Sequence, residues 1–374
     1  MKLIRGLHNI RAEHQGGVAT IGNFDGVHQG HVALLDQLHD RAREAQVPLT
    51  VVLFEPQPRE YFAGKQAPPR LTRLRDKLRL FAEHGVDQVL CLPFNRHLRE
   101  LSAQAFIQKV LVDGLKISDL VVGDDFRFGC DRDGDFHLLL KAGEQAGFRV
   151  EHTQTFDAEG GRVSSSRVRT LLASGNFDSA ARLLGRPYGY SGRVVADRQL
   201  GRTIGIPTAN IPLPDAPLVL SGVYAAAVFL ENGAYYAGAL NVGWRPTVGS
   251  KRPVLEVHLI DFKEDLYGKR ITVIPCLRLR SEISFDGIEA LKHQLEFDVN
   301  FSRIYMRGAK ESLAVADNSL ASHGDGATMR QEDGKGKRHG EAAYCHFNTF
   351  DLPLATAPLT PPSQQQLADL IRDE

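Results

Sequence analysis

Charge of one sign, paired cysteines and long apolar runs are all missing from this 374-residue chain, and each absence removes a class of protein. Lys plus Arg and Asp plus Glu both number 45, so no net field draws the chain toward nucleic acid or an anionic membrane. Small anionic ligands suit such a surface better than polymers. The four cysteines, Cys91, Cys130, Cys276 and Cys345, have no C-x-x-C spacing, which argues against a zinc cage or disulfide framework and for a reducing cytoplasm. No run approaches the roughly 20 apolar residues of a membrane span. The opening MKLIRGLHNIRAEHQ lacks the apolar centre of a signal peptide. A soluble, cytosolic protein with no nucleic-acid or membrane partner is expected.

What is present predicts two domains and an extension. An apolar content of 43% is enough for real cores. In the first half, apolar runs at Leu49 to Phe54, Gln88 to Pro93 and Leu120 to Gly123 alternate with amphipathic stretches at Arg73 to His84, Ser102 to Leu111 and His137 to Ala146. Such alternation predicts a parallel sheet covered by helices. Ligands of open sheets bind beyond the carboxyl ends of the strands, and three ends here carry unusual sequences: GNFDGVHQGH from Gly22, FEPQP from Phe54 and GDDFRFG from Gly123.

The first of these is the most informative. Val18 to Ile21 reads as a buried strand, Gly22 and Gly26 as its turn, and the helical pattern after His31 places His28 and His31 at a helix entrance. Unpaired N–H groups and the helix dipole attract anions there, and two imidazoles can donate hydrogen bonds to a transferring phosphate. A lone H-x-x-H more often only caps its turn; the Gly-Asn-Phe-Asp-Gly lead-in on a strand favours phosphate. Ser164-Ser165-Ser166-Arg167-Val168-Arg169 opens another helical pattern ending near Leu184, either as an ordinary N-cap or as hydroxyls and arginine for polyphosphate.

Sequence character changes near Arg186, after which glycines, prolines and β-rich runs dominate. Val223 to Leu230 and Tyr235 to Leu240 flank Glu231-Asn232-Gly233, a hairpin signal. Ile271 to Leu279 adds a strand, and Asp286 to Phe297 reads as one late helix. A small antiparallel barrel is expected. In Leu255-Glu256-Val257-His258-Leu259, alternation puts Glu256 and His258 opposite the three apolar residues. GRTIGIPTAN places a glycine-arginine segment before Thr208 and Asn210, whose oxygens suit Mg2+ and phosphate. With Glu256 as base, alcohol attack on the terminal phosphate of ATP becomes possible. Each feature alone also fits plain turn chemistry or a solvated strand face.

In order, TIGNFDGVHQGH, FEPQP, RLTRLRDK, VVGDDFRFG, SSSRVR, GRTIGIPTAN, GVYAA, NVGWRPT and LEVHLIDFKEDLYG resemble the prokaryotic bifunctional riboflavin kinase and FAD synthetase family over about residues 1 to 298. The resemblance implies a Rossmann-like α/β nucleotidyltransferase domain with an H-x-G-H turn at 1–185, a six-stranded all-β kinase barrel with a C-terminal helix at 186–306, and an atypical extension at 307–374. It implies formation of FMN from riboflavin and ATP, then of FAD and pyrophosphate from FMN and ATP, both with Mg2+. Gly22, Phe24, His28 and His31 become the ATP-phosphate site, with Ser165 beside it and Arg169 clamping the polyphosphate. Phe54, Asp125 and Phe126 fall toward the flavin. In the kinase half, Thr208 and Asn210 hold Mg-ATP, Gly201, Arg202 and Gly205 cover the phosphates, Glu256 is the base toward the ribityl 5′-hydroxyl, and Asn241 and Arg280 support the site.

Ala196-Asp197 stands where relatives often carry histidine and glycine, which bears on the kinase rate, and Ile206 stands for a common phenylalanine. From about Ala316 to Glu341 the composition is that of a disordered segment, and Ser363 to Gln366 suggests a short terminal helix. Two other readings have a claim: a different nucleotidyltransferase, akin to an aminoacyl-tRNA synthetase, and a non-catalytic flavin carrier. Neutral charge and the barrel motifs oppose the first; His28, His31, Thr208, Asn210 and Glu256 oppose the second.

Overall fold

The computed structural model describes residues 1–123, 126–153, 155–196, 201, 204–247 and 250–321. Asp125, Asp197, Arg202 and the expected short helix near the C-terminus lie outside them. The chain divides into two units, Met1–Arg169 with Leu183–Gly185, and Thr170–Arg182 with Arg186–Glu374.

In the first unit six strands, β1 (Lys2–Arg5), β2 (Val18–Ile21), β3 (Leu49–Glu55), β4 (Gln88–Pro93), β5 (Asp119–Val122) and β6 (Arg149–His152), form one parallel sheet in the order β1-β4-β3-β2-β5-β6. Alternate residues feed two cores. Leu49, Val51 and Leu53 face one with Leu35 and Leu38, while Val52 and Ile21 face the other with Phe106 and Leu111. The order runs from β2 outward through β3 and β4, then returns to place β5 on the other side of β2. Such a reversal leaves a crevice at the carboxyl ends of β2 and β5.

The helices of this unit are α1 (Gln29–Ala45), α2 (Pro58–Ala63), α3 (Leu74–Glu83), α4 (Arg96–Arg99), α5 (Ala103–Phe106) and α6 (Phe136–Ala146); α7 (Ser165–Ala173) begins in it and ends in the second, with α8 (Phe177–Leu184) next in the chain. The pattern from Ser102 to Leu111 forms a helix of mixed type. Ser102 caps α5 through Ala105 N–H at 3.2 Å, and the chain then widens into a π-helix over Ile107–Leu115. At its end a Cβ on Gly114 would lie 2.7 Å from the Lys109 carbonyl oxygen five residues back, so the wide turn leaves no room there for a side chain. The single pattern from Ser164 to Leu184 is two helices, parted at Gly175, whose φ is 78°.

The second unit is a six-stranded antiparallel near-barrel: β9 (Tyr190–Arg193), β10 (Ala209–Pro212), β11 (Gly222–Leu230), β12 (Tyr235–Thr247), β13 (Ser250–Leu259) and β14 (Arg270–Arg280), in the order β10-β13-β12-β11-β14-β9. β7 (Asp157–Ala158) and β8 (Gly161–Arg162) form a separate small hairpin in the first unit. A bridge from Val195 to Asn210 joins the two ends of the large sheet. In the β11–β12 hairpin only Gly233 takes a positive φ, 85°, while the Asn232 side chain accepts from Ala234 N–H at 3.1 Å. The last helix, α9 (Ile288–Ala321), spans 34 residues and continues well past Phe297 into the segment whose composition suggested disorder. Leu295, Val299, Phe301, Tyr305 and Met306 pack it on the barrel's outer face against Ile260, Leu277, Leu279 and Cys276. No helix among the described residues is long and apolar enough to cross a membrane.

Candidate active sites

The first site grows from the end of β2. Three residues of the turn adopt left-handed backbone: Phe24 (φ 46°), Gly26 (87°) and Val27 (41°). For a β-branched valine this is costly, and such backbone persists only where its surroundings hold it. Asp25, 3% exposed, does much of that work, accepting N–H bonds from Leu71 and Thr72 at 3.1 Å and pairing with the Arg169 guanidinium. Lys77 on α3, 2% exposed, donates to the Asn23 carbonyl at 2.5 Å. Gly22 is tight against Phe24, whose ring a Cβ there would approach to 3.0 Å.

That turn delivers His28 as the N-cap of α1, its carbonyl accepting from His31 and Val32 N–H at 2.7 and 3.0 Å. The His28 side chain makes no capping hydrogen bond. It stacks instead on His31, with ring centroids 3.7 Å apart and planes 14° from parallel, and Phe24 packs against His31 at 4.8 Å. A Cβ on Gly30 would meet His28 at 3.4 Å, so a bare residue between the imidazoles suits their stacking. The pair is thus positioned at a helix N-terminus facing the crevice where an anion binds best.

Around it, Ser164 is an ordinary cap, accepting from Arg167 N–H at 3.3 Å, whereas Ser165 Oγ donates to the Asp25 carbonyl at 2.8 Å. Arg169 Nε donates to the Pro69 carbonyl at 2.6 Å, so this arginine also braces the turn. Phe54 and Phe126 belong to a chain of aromatic rings. Phe54 contacts Phe94 and Phe106 at 6.0 and 6.3 Å, Phe106 contacts Phe128 at 5.6 Å, and Phe126 stacks on Phe128 at 5.4 Å. Tyr61 and Phe62 extend it from Phe94 at 5.3 and 5.8 Å, and Phe62 is 63% exposed.

In the barrel, strand register builds the second site. Asn210 on β10 pairs with Glu256 on β13, which pairs in turn with Asn241 on β12. Directly opposed residues share a face, so one carboxylate stands between two carboxamides. Leu255, Val257 and Leu259 are fully or nearly fully buried on the opposite face. His258 Nδ1 lies 2.8 Å from the Pro207 carbonyl and ties β13 to the turn bearing Thr208. Burial pushes its imidazole below the ordinary histidine range, against the Pro207 contact.

Gly201 closes that turn: Ile206 N–H donates to its carbonyl at 2.8 Å, and a Cβ at 201 would lie 2.3 Å from the Ile206 oxygen. Gly205 has φ 83°, and Asn210 Nδ2 points to the Thr208 carbonyl at 3.4 Å, leaving the amide oxygen directed elsewhere. Arg280 is engaged by α9, with Nε 3.1 Å from both Asp298 oxygens and Nη2 2.7 Å from one.

Asp25, Lys77, Phe94, Phe128 and Asp298 were not singled out from the sequence. Lys77 lies inside the RLTRLRDK motif, whose only visible signal was its place in the resemblance.

Residues 10–167 match the family model described as FAD synthetase, and residues 184–306 match that of riboflavin kinase. A bifunctional riboflavin kinase/FMN adenylyltransferase of Pseudomonas fluorescens is 52% identical over 304 residues, covering 81% of this chain and 97% of the relative. One from Escherichia coli (strain K12) is 52% identical over 299 residues, covering 80% and 96%. A crystal structure titled macrolide-efflux protein from Streptococcus pneumoniae aligns with TM-score 0.67 at 28% identity, over 81% of this chain and 99% of that one.

Proposed function

The chain belongs to the bifunctional riboflavin kinase/FMN adenylyltransferase family, converting riboflavin to FMN and FMN to FAD, and we propose that the two reactions use separate sites, at 1–185 and 186–306, built from the residues above. The observation that carries this is the pair of distinct constellations: stacked imidazoles at a helix N-terminus in one unit, and a carboxylate in register between two carboxamides in the other.

In adenylyl transfer, an FMN phosphate oxygen attacks the α-phosphorus of ATP and pyrophosphate leaves. His28, His31 and the N-terminal N–H groups of α1 stabilise the negative charge that spreads over the phosphates. Arg169 and Ser165 act chiefly by fixing the Asp25 turn, and Gly22 and Phe24 shape it. The rings of Phe54, Phe126 and their neighbours offer flat apolar surface suited to a flavin; Asp125 is assigned to the same end by sequence.

In the kinase half, Glu256 accepts the proton of the ribityl 5′-hydroxyl as that oxygen attacks the γ-phosphorus and ADP leaves. Asn210 and Asn241 orient the carboxylate and the substrate, while Gly201, Arg202 and Gly205 cover the phosphates. Thr208 and Asn210, whose side-chain oxygens suit a hard cation, would hold Mg2+ with its nucleotide. Bound there, the ion would neutralise phosphate charge. Arg280 supports the site through α9. A cytoplasmic setting accords with the free thiols of Cys91, Cys130 and Cys276.

A chromatographic time course with riboflavin and Mg-ATP, beside one started from FMN, tests the assignment. Glu256→Ala is expected to abolish FMN formation and leave FAD formation from supplied FMN, and His28→Ala to do the reverse. Equal loss of both activities in either folded variant would contradict separate sites.

A further inference from the structure

We propose that Lys77 is a positioning residue for adenylyl transfer: from beneath the sheet end it holds the phosphate-binding turn in its left-handed shape and joins that turn to the charged brace at the end of β3. The proposal rests on the reading that His28 and His31 handle the ATP phosphates.

The ammonium is almost fully buried, and its hydrogen bond goes to the main chain of the turn, at Asn23, immediately before Phe24. Nothing about helix α3 requires a lysine there, because its neighbours on that face, Leu80 and Phe81, are ordinary core residues. A buried charge without a task would be replaced by an apolar side chain at no loss of stability. Its surroundings supply the task. Asp25 faces it from the turn, Glu55 from β3, Glu60 from α2, Arg70 from the loop before α3, and the Cys91 thiol from β4.

Arg70 forks between Glu55, at 2.9 and 3.1 Å, and Glu60 Oε1 at 2.8 Å, while Arg169 pairs with Asp25. Three cations, Arg70, Lys77 and Arg169, therefore balance three carboxylates, Asp25, Glu55 and Glu60. Lys77 is the member of this set that bonds the main chain of the phosphate turn, and Glu55 directly follows the Phe54 ring of the aromatic array. Lys77 thus lies within electrostatic reach of both the turn that carries the imidazoles and the Glu55 end of the strand that carries Phe54.

Burial pulls the Lys77 ammonium down to about 8, opposed by Asp25, Glu55 and Glu60 and reinforced by Arg70. The amine is charged below that pH and neutral above it, so the balance beneath the turn is broken on the alkaline side.

The test uses the full chain, with riboflavin phosphorylation in the same preparation reporting that the protein is folded. Lys77→Met is expected to lower kcat/KM for ATP in FMN adenylation by about tenfold or more, the scale of a displaced reacting group, with riboflavin phosphorylation unchanged. Lys77→Arg, which keeps the charge, is expected to recover much of that loss and to move the alkaline limb of the adenylation profile upward. Wild-type adenylation by Lys77→Met, or equal losses in both variants with an unmoved limb, would overturn the proposal. If Lys77→Met loses both activities, the limb in Lys77→Arg decides. His28→Ala run alongside separates the premise: full adenylation by that variant refutes the phosphate-site reading itself.

Discussion

Removing the Asp298 carboxylate isolates what holds α9 on the kinase barrel. Asp298 is 1% exposed and accepts from Arg280 at three contacts of 2.7 to 3.1 Å and from Gln294 Nε2 at 3.0 Å. Asp298→Asn keeps the shape and removes the charge, stranding a guanidinium whose side chain is 18% exposed. Breaking a fully buried pair costs about 3–5 kcal/mol; partial access of Arg280 to water reduces this to about 2–4 kcal/mol. For a domain of this size that is a fall of roughly 8–16 °C in the transition of the kinase unit. Differential scanning calorimetry of Asp298→Asn beside the double variant Arg280→Met/Asp298→Leu measures it. The double variant is expected to recover most of the loss, because it leaves no orphan charge. If both unfold equally early, the loss comes from packing of α9 and the ionic account is refuted.

Gly201→Ala is expected to abolish riboflavin phosphorylation while sparing FMN adenylation, since its Cβ would sit 2.3 Å from the Ile206 carbonyl oxygen and open the turn that carries Thr208; parallel assays of the two activities check it. His258 supplies a pH prediction. Its folded-state pKa lies below the ordinary 6.5, so the unfolded chain binds the extra proton more readily, and stability is present above about 6.5 and lost as pH falls through the folded value. His258→Asn should flatten the fall in kinase-unit stability between about pH 6.5 and the acid limb, measured by urea unfolding at several pH values; an unchanged slope would remove His258 from the explanation.

The sequence was most legible where local chemistry alone decides. Val18–Ile21 and Gln88–Pro93 are strands with the bounds their apolar runs suggest, because both are buried on two faces and end at glycine or a proline. The hairpin at Asn232-Gly233 and the side of β13 that carries Glu256 follow from turn chemistry and period two. The π-helix at Ile107–Leu115 has the same short-range apolar pattern as an α-helix, so its extra width could not be read. The bracing of the phosphate turn was hidden for another reason. Lys77 meets Asn23 across 54 residues and Asp25 meets Arg169 across 144, and such pairings exist only after the sheet has formed. Arg280 was singled out from the sequence only through the resemblance, and its partner Asp298 was not visible there.

The row Asn210, Glu256 and Asn241 also limits how this enzyme can change in length. From Gly238 against Leu259 to Thr247 against Ser250, β12 and β13 pair without interruption, whereas β11 and β14 contain register shifts near Tyr224 and Ala226. Inserting one residue into β13 before Leu255 would turn the carboxylate into the apolar interior and bring Leu255 to the face that Glu256 shares with Asn210 and Asn241. Single-residue insertions or deletions are therefore expected to be tolerated in the Glu231 to Ala234 loop or beside the existing irregularities. Within β13 itself, only changes in pairs keep Glu256 on the face it shares with Asn210 and Asn241.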